Sequence, residues 1–235
     1  VVMTGRTPAR TDAAAEAIRA ETGVDASRLA TVALDGGDPA SVRAAIAEIV
    51  KRFGRIDILV NNAGSAGPKQ PIEQLPFDAA ELAALQKAGS TDNETVRDAL
   101  RNIFGVAWNV SRAAAPAMGE GGSIINVSTI FSRTPYYARA AYVVPKAAMN
   151  AFSRELSLEL GPRGIRVNLV FPGPIESERI RSVFATMDKM RGDDAGTTAN
   201  QFFDMMSLER STGGNAKAKT FPTPTDIATT CVFLG

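Results

Sequence analysis

Two periods of apolar residues alternate along the chain. Short runs rich in apolar and β-branched residues occur at Val1–Thr4, Leu29–Leu34, Asp57–Val60, Ser123–Val127 and Arg166–Val170, and longer stretches with apolar residues every three to four positions separate them. The short runs predict strands, and the longer stretches predict helices near Arg10–Thr22, Asp38–Phe53 and Asp78–Lys87. Asp38 followed by Pro39 supports one of these starts independently, as an N-cap and a first-turn proline. Nearly all-apolar strands alternating with helices imply a parallel sheet covered on both faces: an α/β, doubly wound, Rossmann-like fold.

The pattern changes after the last predicted strand. Phe202, Phe203, Met205, Met206 and Leu208 form one apolar group between polar, glycine-containing stretches at Gly192–Thr198 and Ser211–Lys219. This predicts a mobile cap at about 178–222 on a single domain spanning 1–235. The sequence opens in a strand and stops at Leu234-Gly235, so the first and last strands of such a sheet are expected to lie outside it. The chain is expected to be part of a larger multidomain polypeptide; a homo-oligomer is expected as well.

Composition narrows the function. With 26 basic against 25 acidic side chains, nothing favours a polyanion, so a small-molecule substrate is expected and nucleic acid is not. No apolar run reaches membrane-spanning length, and Arg6, Arg10, Asp12 and Glu16 interrupt any signal-like start; no membrane partner is expected, and the cytoplasm is the default location. The single cysteine, Cys231, has no internal partner for a disulfide. Zero histidines exclude Ser-His-Asp hydrolysis and histidine-based zinc sites, and metal is not expected. Acid-base chemistry therefore falls to Tyr, Lys, Cys or a perturbed carboxylate.

Tyr142 and Lys146 stand four residues apart, on one face of a predicted helix. Alone, that pair is as compatible with coincidence as with chemistry. Its company matters more. Asn61-Asn62-Ala63-Gly64 follows one strand, Asn102 lies on the next long helix, Ser128-Thr129 ends another strand, and Pro172-Gly173 follows the last. In a doubly wound sheet all of these open onto the edge where ligands bind, outside the carboxyl ends of the strands.

In this order and spacing the motifs resemble the short-chain dehydrogenase/reductase family. The resemblance implies that Tyr142 donates the proton to a carbonyl, that Lys146 lowers the Tyr pKa and holds the nicotinamide ribose, and that Asn102 anchors a proton-relay water. It gives the strand-end hydroxyl that polarises the carbonyl to Thr129 by spacing, with Ser128 beside it as the alternative. It also implies cofactor contacts at Asn62, Ala63, Gly64, Tyr142, Lys146, Pro172, Gly173 and Ile175, and at Asp35 and Gly36 near the adenine. The family's glycine-rich phosphate loop has no counterpart among these residues. Pro145, inside the Tyr-Lys motif, is unusual, and would be tolerated if the helix starts near Arg139 to Tyr142.

Arg6, at the end of the first strand, would accommodate a 2′-phosphate where an acidic residue would accept from ribose hydroxyls, and so favours NADPH; a solvated loop arginine is the alternative. Asp35 reads equally as a turn residue before Gly36-Gly37. The stretches Ser128–Lys146 and Pro172–Arg191, with the long segment between Gly64 and Asn102, are similar to the amino-terminal reductase domains of bifunctional malonyl-CoA reductases. That resemblance implies NADPH-dependent reduction of malonate semialdehyde to 3-hydroxypropionate. A carboxylate substrate calls for a cation among Arg133, Arg139, Arg179 and Arg181, of which Arg133 and Arg179 rank highest. The competing readings are a generic 3-oxoacyl reductase and a non-catalytic dinucleotide-binding scaffold.

Overall fold

A computed structural model describes residues 1–90, 93–135, 137–206, 208–211 and 217–235. The side chains of Arg179 and of residues 205–220 lie outside the described set, and with them the expectations placed on Arg179, Met205, Met206, Leu208, Gly213 and Gly214. The elements run β1 (Val2–Gly5), α1 (Pro8–Thr22), β2 (Ala30–Ala33), α2 (Pro39–Phe53), β3 (Ile58–Asn61), α3 (Ala79–Lys87), α4 (Val96–Leu100), α5 (Val106–Ala114) and β4 (Ser123–Val127). They continue with α6 (Ala140–Leu160), β5 (Arg166–Val170), α7 (Glu178–Arg191), α8 (Thr197–Met206), β6 (Leu208–Ser211), β7 (Lys217–Thr220) and α9 (Pro224–Leu234).

The strands expected from the apolar runs form, and they pair in parallel, β1 with β2 and β3 with β4 and β5. These are two sheets rather than one: among the described residues no ladder joins β1 to β3. Side chains bridge them instead. Val32 and Leu34 from the β2 side pack with Val42, Ala45, Ile46 and Ile49 of α2 and with Val110 and Ala114 of α5, against which Val2 and Leu59 also rest. Every residue of β4 is buried, and Ile124 and Ile125 are fully so; each such side chain contributes about 1.5–3 kcal/mol.

Local chemistry explains the helix boundaries. Asp38 accepts from the N–H groups of Ala40 and Ser41 to start α2, and Asp78 caps α3 in the same way. Thr95 and Asp98 form a reciprocal capping box at α4. The helix carrying Asn102 is not uniform: a π-turn at Arg101–Gly105 joins α4 to α5 and holds Asn102 within it.

The start of α6 at Ala140 falls within the expected range of Arg139 to Tyr142, but Pro145 still lies past the first turn, and the N–H it lacks would have met the Ala141 carbonyl. That side of the helix is instead closed by Gly67, whose φ of +64° and missing side chain let its backbone approach; a Cβ there would lie 3.2 Å from the Ala141 oxygen. The stretch 211–219, read as loop, contains part of an antiparallel ladder between β6 and β7. Its sequence, with Glu209, Arg210, Lys217 and Lys219, lacks the β-branched or aromatic alternation that marks strands.

Candidate active site

The carboxyl ends of β3, β4 and β5 converge on a cleft of about 290 Å³. Asn62 and Gly64 line it from the turn after β3, Val127, Ser128 and Thr129 from the end of β4, and Pro172, Gly173, Pro174 and Ile175 from the turn after β5. Arg139, Tyr142 and Lys146 close it from the start of α6, and Ile180 and Val183 of α7 cover it. A polar ladder beneath sets the register of these walls. Asn61 donates to Ser111 at 2.9 Å and to Asn126, its neighbour across the β3–β4 ladder, at 2.8 Å; Asn126 donates to Ser153 of α6 at 2.8 Å. With all four side chains buried and bonded, β3, β4, α5 and α6 cannot slide without orphaning one of them.

Within the cleft Lys146 is buried and its Nζ donates to the Val127 carbonyl at 2.6 Å. A Cβ at Gly64 would come 4.0 Å from that Nζ, an ordinary contact distance, so the turn after β3 runs beside the ammonium. The two candidate hydroxyls differ. Ser128 Oγ donates to Asn150 Oδ1 at 2.6 Å, which commits its proton. Thr129 Oγ1 accepts from the Phe131 N–H at 3.4 Å, an interaction that leaves its own proton to donate.

The remaining expected residues are spread more widely. Asn102 Nδ2 lies 3.5 Å from Glu94 Oε1, which also accepts from Ser65 Oγ at 2.9 Å, and Ser65 lines the cleft. Neither Ser65 nor Glu94 was singled out from the sequence, although the Thr95–Asp98 capping box signals a helix start directly after Glu94. Ala63 is exposed between its two cleft-lining neighbours. Arg6 is exposed directly after β1. Asp35 accepts from the Gly37 N–H at 2.9 Å and lies 3.7 Å from Arg101, while the Gly36 carbonyl accepts from Asn109 at 3.0 Å; both sit in a turn packed on α5. There a Cβ on Gly36 would strike Val106 at 2.5 Å.

Arg133 does not line the cleft. It is exposed, with its guanidinium carbon 4.1 Å from the centre of the Phe171 ring, which takes up its charge outside the pocket. Arg139 does line it and is only 6% exposed.

Beyond the cleft, the expected cap consists of α7, α8 and the β6–β7 hairpin. Phe184 of α7 and Phe202 of α8 stack at 5.2 Å and join Phe131 from the loop after β4. In the first glycine-containing flank, where the two helices meet, Asp188 accepts from the N–H groups of Gly196 at 2.7 Å and Thr198 at 2.8 Å. The Thr198 side chain and those two N–H groups hold the Asp188 carboxyl below the usual carboxylate range. A larger hollow of about 840 Å³ lies among α7, α8 and Phe221; it shares Ile180 with the cleft but not Tyr142 or Lys146. No helix among the described residues is long and apolar enough to cross a membrane.

Comparison with known proteins gives the arrangement its relatives. An uncharacterised oxidoreductase of Methylorubrum extorquens is 34% identical over 178 residues, which cover 76% of this chain and 63% of that protein. The trans-4-hydroxycyclohexanecarboxylate dehydrogenase of Sinomonas cyclohexanicum is 35% identical over 171 residues, 70% of this chain and 58% of that enzyme. A crystal structure of the N-domain, with NADP, of a bacterial malonyl-CoA reductase is 84% identical with a TM-score of 0.91; it matches all of this chain, which spans 43% of that one. The chain thus spans less than two thirds of the length of each of these proteins. The short chain dehydrogenase family model matches residues 1–188, the stretch that builds the parallel strands and every wall of the cleft, and the chain belongs to that family.

Proposed function

We propose that this chain forms the reductase domain, 1–235 with a cap at about 178–222, of a longer enzyme that reduces a small aldehyde acid with NADPH, most specifically malonate semialdehyde to 3-hydroxypropionate. The observation that carries the reading is the joint placement of Tyr142, Lys146 and Thr129 around one cleft at the strand ends. The identity to a malonyl-CoA reductase N-domain supports the choice of substrate and of cofactor. The cleft, of about 290 Å³, has room for a nicotinamide end and a short substrate.

The cofactor, when bound, supplies the hydride. Lys146, the Asn62–Gly64 turn and the Pro172–Ile175 turn would hold its nicotinamide half, and Arg6 a 2′-phosphate. Thr129 donates a hydrogen bond to the carbonyl oxygen, keeping its proton, and so favours the charge that develops there. Tyr142 delivers the proton that completes the alcohol, and the Lys146 ammonium favours the phenolate left behind. Asn102, Glu94 and Ser65 form a polar chain behind the cleft through which that proton can be replaced. Ile180 and Val183 exclude water from above. We further propose a homo-oligomer with no membrane or nucleic-acid partner, working in the cytoplasm.

The test is NADPH oxidation by the full-length protein offered malonate semialdehyde, an uncharged aldehyde of equal length, or a 3-oxoacyl thioester. Preference for the semialdehyde is expected. Preference for the thioester would replace this reading with the general ketoreductase, and no turnover of any carbonyl, despite NADPH binding, with a non-catalytic scaffold.

A further inference from the structure

Asn150 stands one turn beyond Lys146 on α6, so Tyr142, Lys146 and Asn150 follow one another in steps of four along one face of the helix. The first two line the cleft and Asn150 does not; it is buried behind the wall that Ser128 and Thr129 form. Its amide is engaged at both ends. Ser128 Oγ donates to Asn150 Oδ1 at 2.6 Å, and Asn150 Nδ2 donates to Ser132 Oγ at 2.8 Å. Ser132 Oγ then donates to the Thr129 carbonyl at 2.6 Å, and the Ser132 N–H donates to the same oxygen at 3.1 Å. Each donor hands on in one direction, from the end of β4 through α6 to the backbone of Thr129. Both flanks of Thr129 are thereby tied to a single side chain, Ser128 before it and, after it, the short 3₁₀ turn Ile130–Ser132.

We propose that Asn150 is a positioning residue: by holding Ser128 and Ser132 together it fixes the loop after β4 in the geometry that presents the Thr129 hydroxyl to the substrate carbonyl. This deepens, and rests on, the reading of Thr129 as the group that polarises that carbonyl. A hydrogen-bond donor favours developing charge most when it is already aimed before the reaction begins. The side chain of Thr129 cannot secure that aim alone, because its contact with the Phe131 N–H is long, at 3.4 Å. A carboxamide suits the task, since it presents an acceptor and a donor in one rigid plane, where a carboxylate would offer acceptors alone. A buried network in which every member is satisfied holds one arrangement against its alternatives. The same amide takes up the Ser128 proton, which leaves Thr129 as the hydroxyl with a proton to offer.

The experiment places Asn150→Leu, Ser132→Ala and Ser132→Thr in the full-length protein, each in the wild-type and in the Thr129→Ala background, with malonate semialdehyde as substrate. Asn150→Leu and Ser132→Ala should each lower kcat about 10- to 100-fold, the scale on which a displaced group slows a reaction. KM and the dissociation constant for NADPH should stay within about twofold, as for an interaction expressed in the transition state. Ser132→Thr keeps a hydroxyl and should stay near wild type. In Thr129→Ala, where no hydroxyl is left to aim, the same substitutions should cost almost nothing further. A full loss in both backgrounds would make the network a structural support and overturn the assignment. So would an unchanged kcat, or NADPH affinity falling in step with kcat, which would route the effect through Lys146. Should Asn150→Leu not fold, Ser132→Ala, which removes one half-buried hydroxyl, still decides. Wild-type kcat in Thr129→Ala alone would remove Thr129 from the chemistry, and with it this role for Asn150. If the wild type turns over no carbonyl, the proposed reaction fails by itself; hydrogen exchange at the Ser132 and Arg133 amides, expected to be faster in Asn150→Leu, then decides, and unchanged exchange overturns the proposal.

Discussion

Replacing Tyr142 with Phe removes one oxygen atom and leaves its surroundings in place. The ring packs on the buried cluster of Ala99, Ile103, Ala107, Ala141 and Met149, and it lies under the Arg139 guanidinium; both contacts use carbon atoms that phenylalanine keeps. Folding and NADPH affinity should therefore hold. The loss falls on proton transfer, since no histidine exists to take over and the other cleft hydroxyls among the described residues are serines and Thr129. General acid catalysis is worth about 10²- to 10⁴-fold, or roughly 2.7–5.5 kcal/mol of barrier. In the full-length protein, kcat for semialdehyde reduction should fall by that factor, while the dissociation constant for NADPH, read from nucleotide fluorescence, stays within about twofold of wild type, a margin well under the roughly 1.4 kcal/mol of a tenfold change. Lys146→Ala supplies the contrast. It deletes the cation beside the phenol, the ribose contact and the bond to the Val127 carbonyl, so it should weaken nucleotide binding as well as catalysis. Activity of Tyr142→Phe within tenfold of wild type would remove Tyr142 from the chemistry, and equal nucleotide affinity in both variants would remove Lys146 from the cofactor.

Arg6→Asp should shift the preference from NADPH toward NADH by deleting a phosphate partner and adding a like charge; an unchanged ratio of specificity constants would leave Arg6 as a solvated loop residue. Thr129→Ala should reduce kcat by more than Ser128→Ala, because Ser128 already gives its proton to Asn150; the reverse order in steady-state assays would move carbonyl polarisation to Ser128. The Asp188 carboxyl, held below its ordinary range, steadies the α7–α8 junction fully above pH of about 4 and loses that effect as pH falls through its lowered value. Asp188→Asn should accordingly raise hydrogen exchange of the Gly196 and Thr198 amides already at neutral pH and make it less dependent on acid; exchange matching wild type at pH 7 would show that the junction is held by Phe184 and Phe202 alone.

Local chemistry made much of this molecule legible. Asp38 with Pro39, and Asp78 before its helix, are read within four residues, and Tyr142 and Lys146 share a face by helix geometry alone. What depends on distant partners was not legible. Arg133 and Arg139 flank the same loop and look equivalent in sequence, yet Phe171 takes the first outward and the turn at Ala138 precedes the burial of the second. Glu94 acquires its place only when Ser65 and Asn102 arrive from either side. The Asn61–Asn126 pair reads as polar noise inside two apolar strands until the β3–β4 register sets them side by side.

The division of the parallel strands into β1–β2 and β3–β4–β5 bears on how a fragment behaves. Among the described residues β1 and β3 each carry one backbone edge with no ladder partner. An unpaired edge is a template for a strand from another chain. Residues 1–235 expressed alone should therefore self-associate more readily than the full-length protein, which light scattering at equal concentration would show.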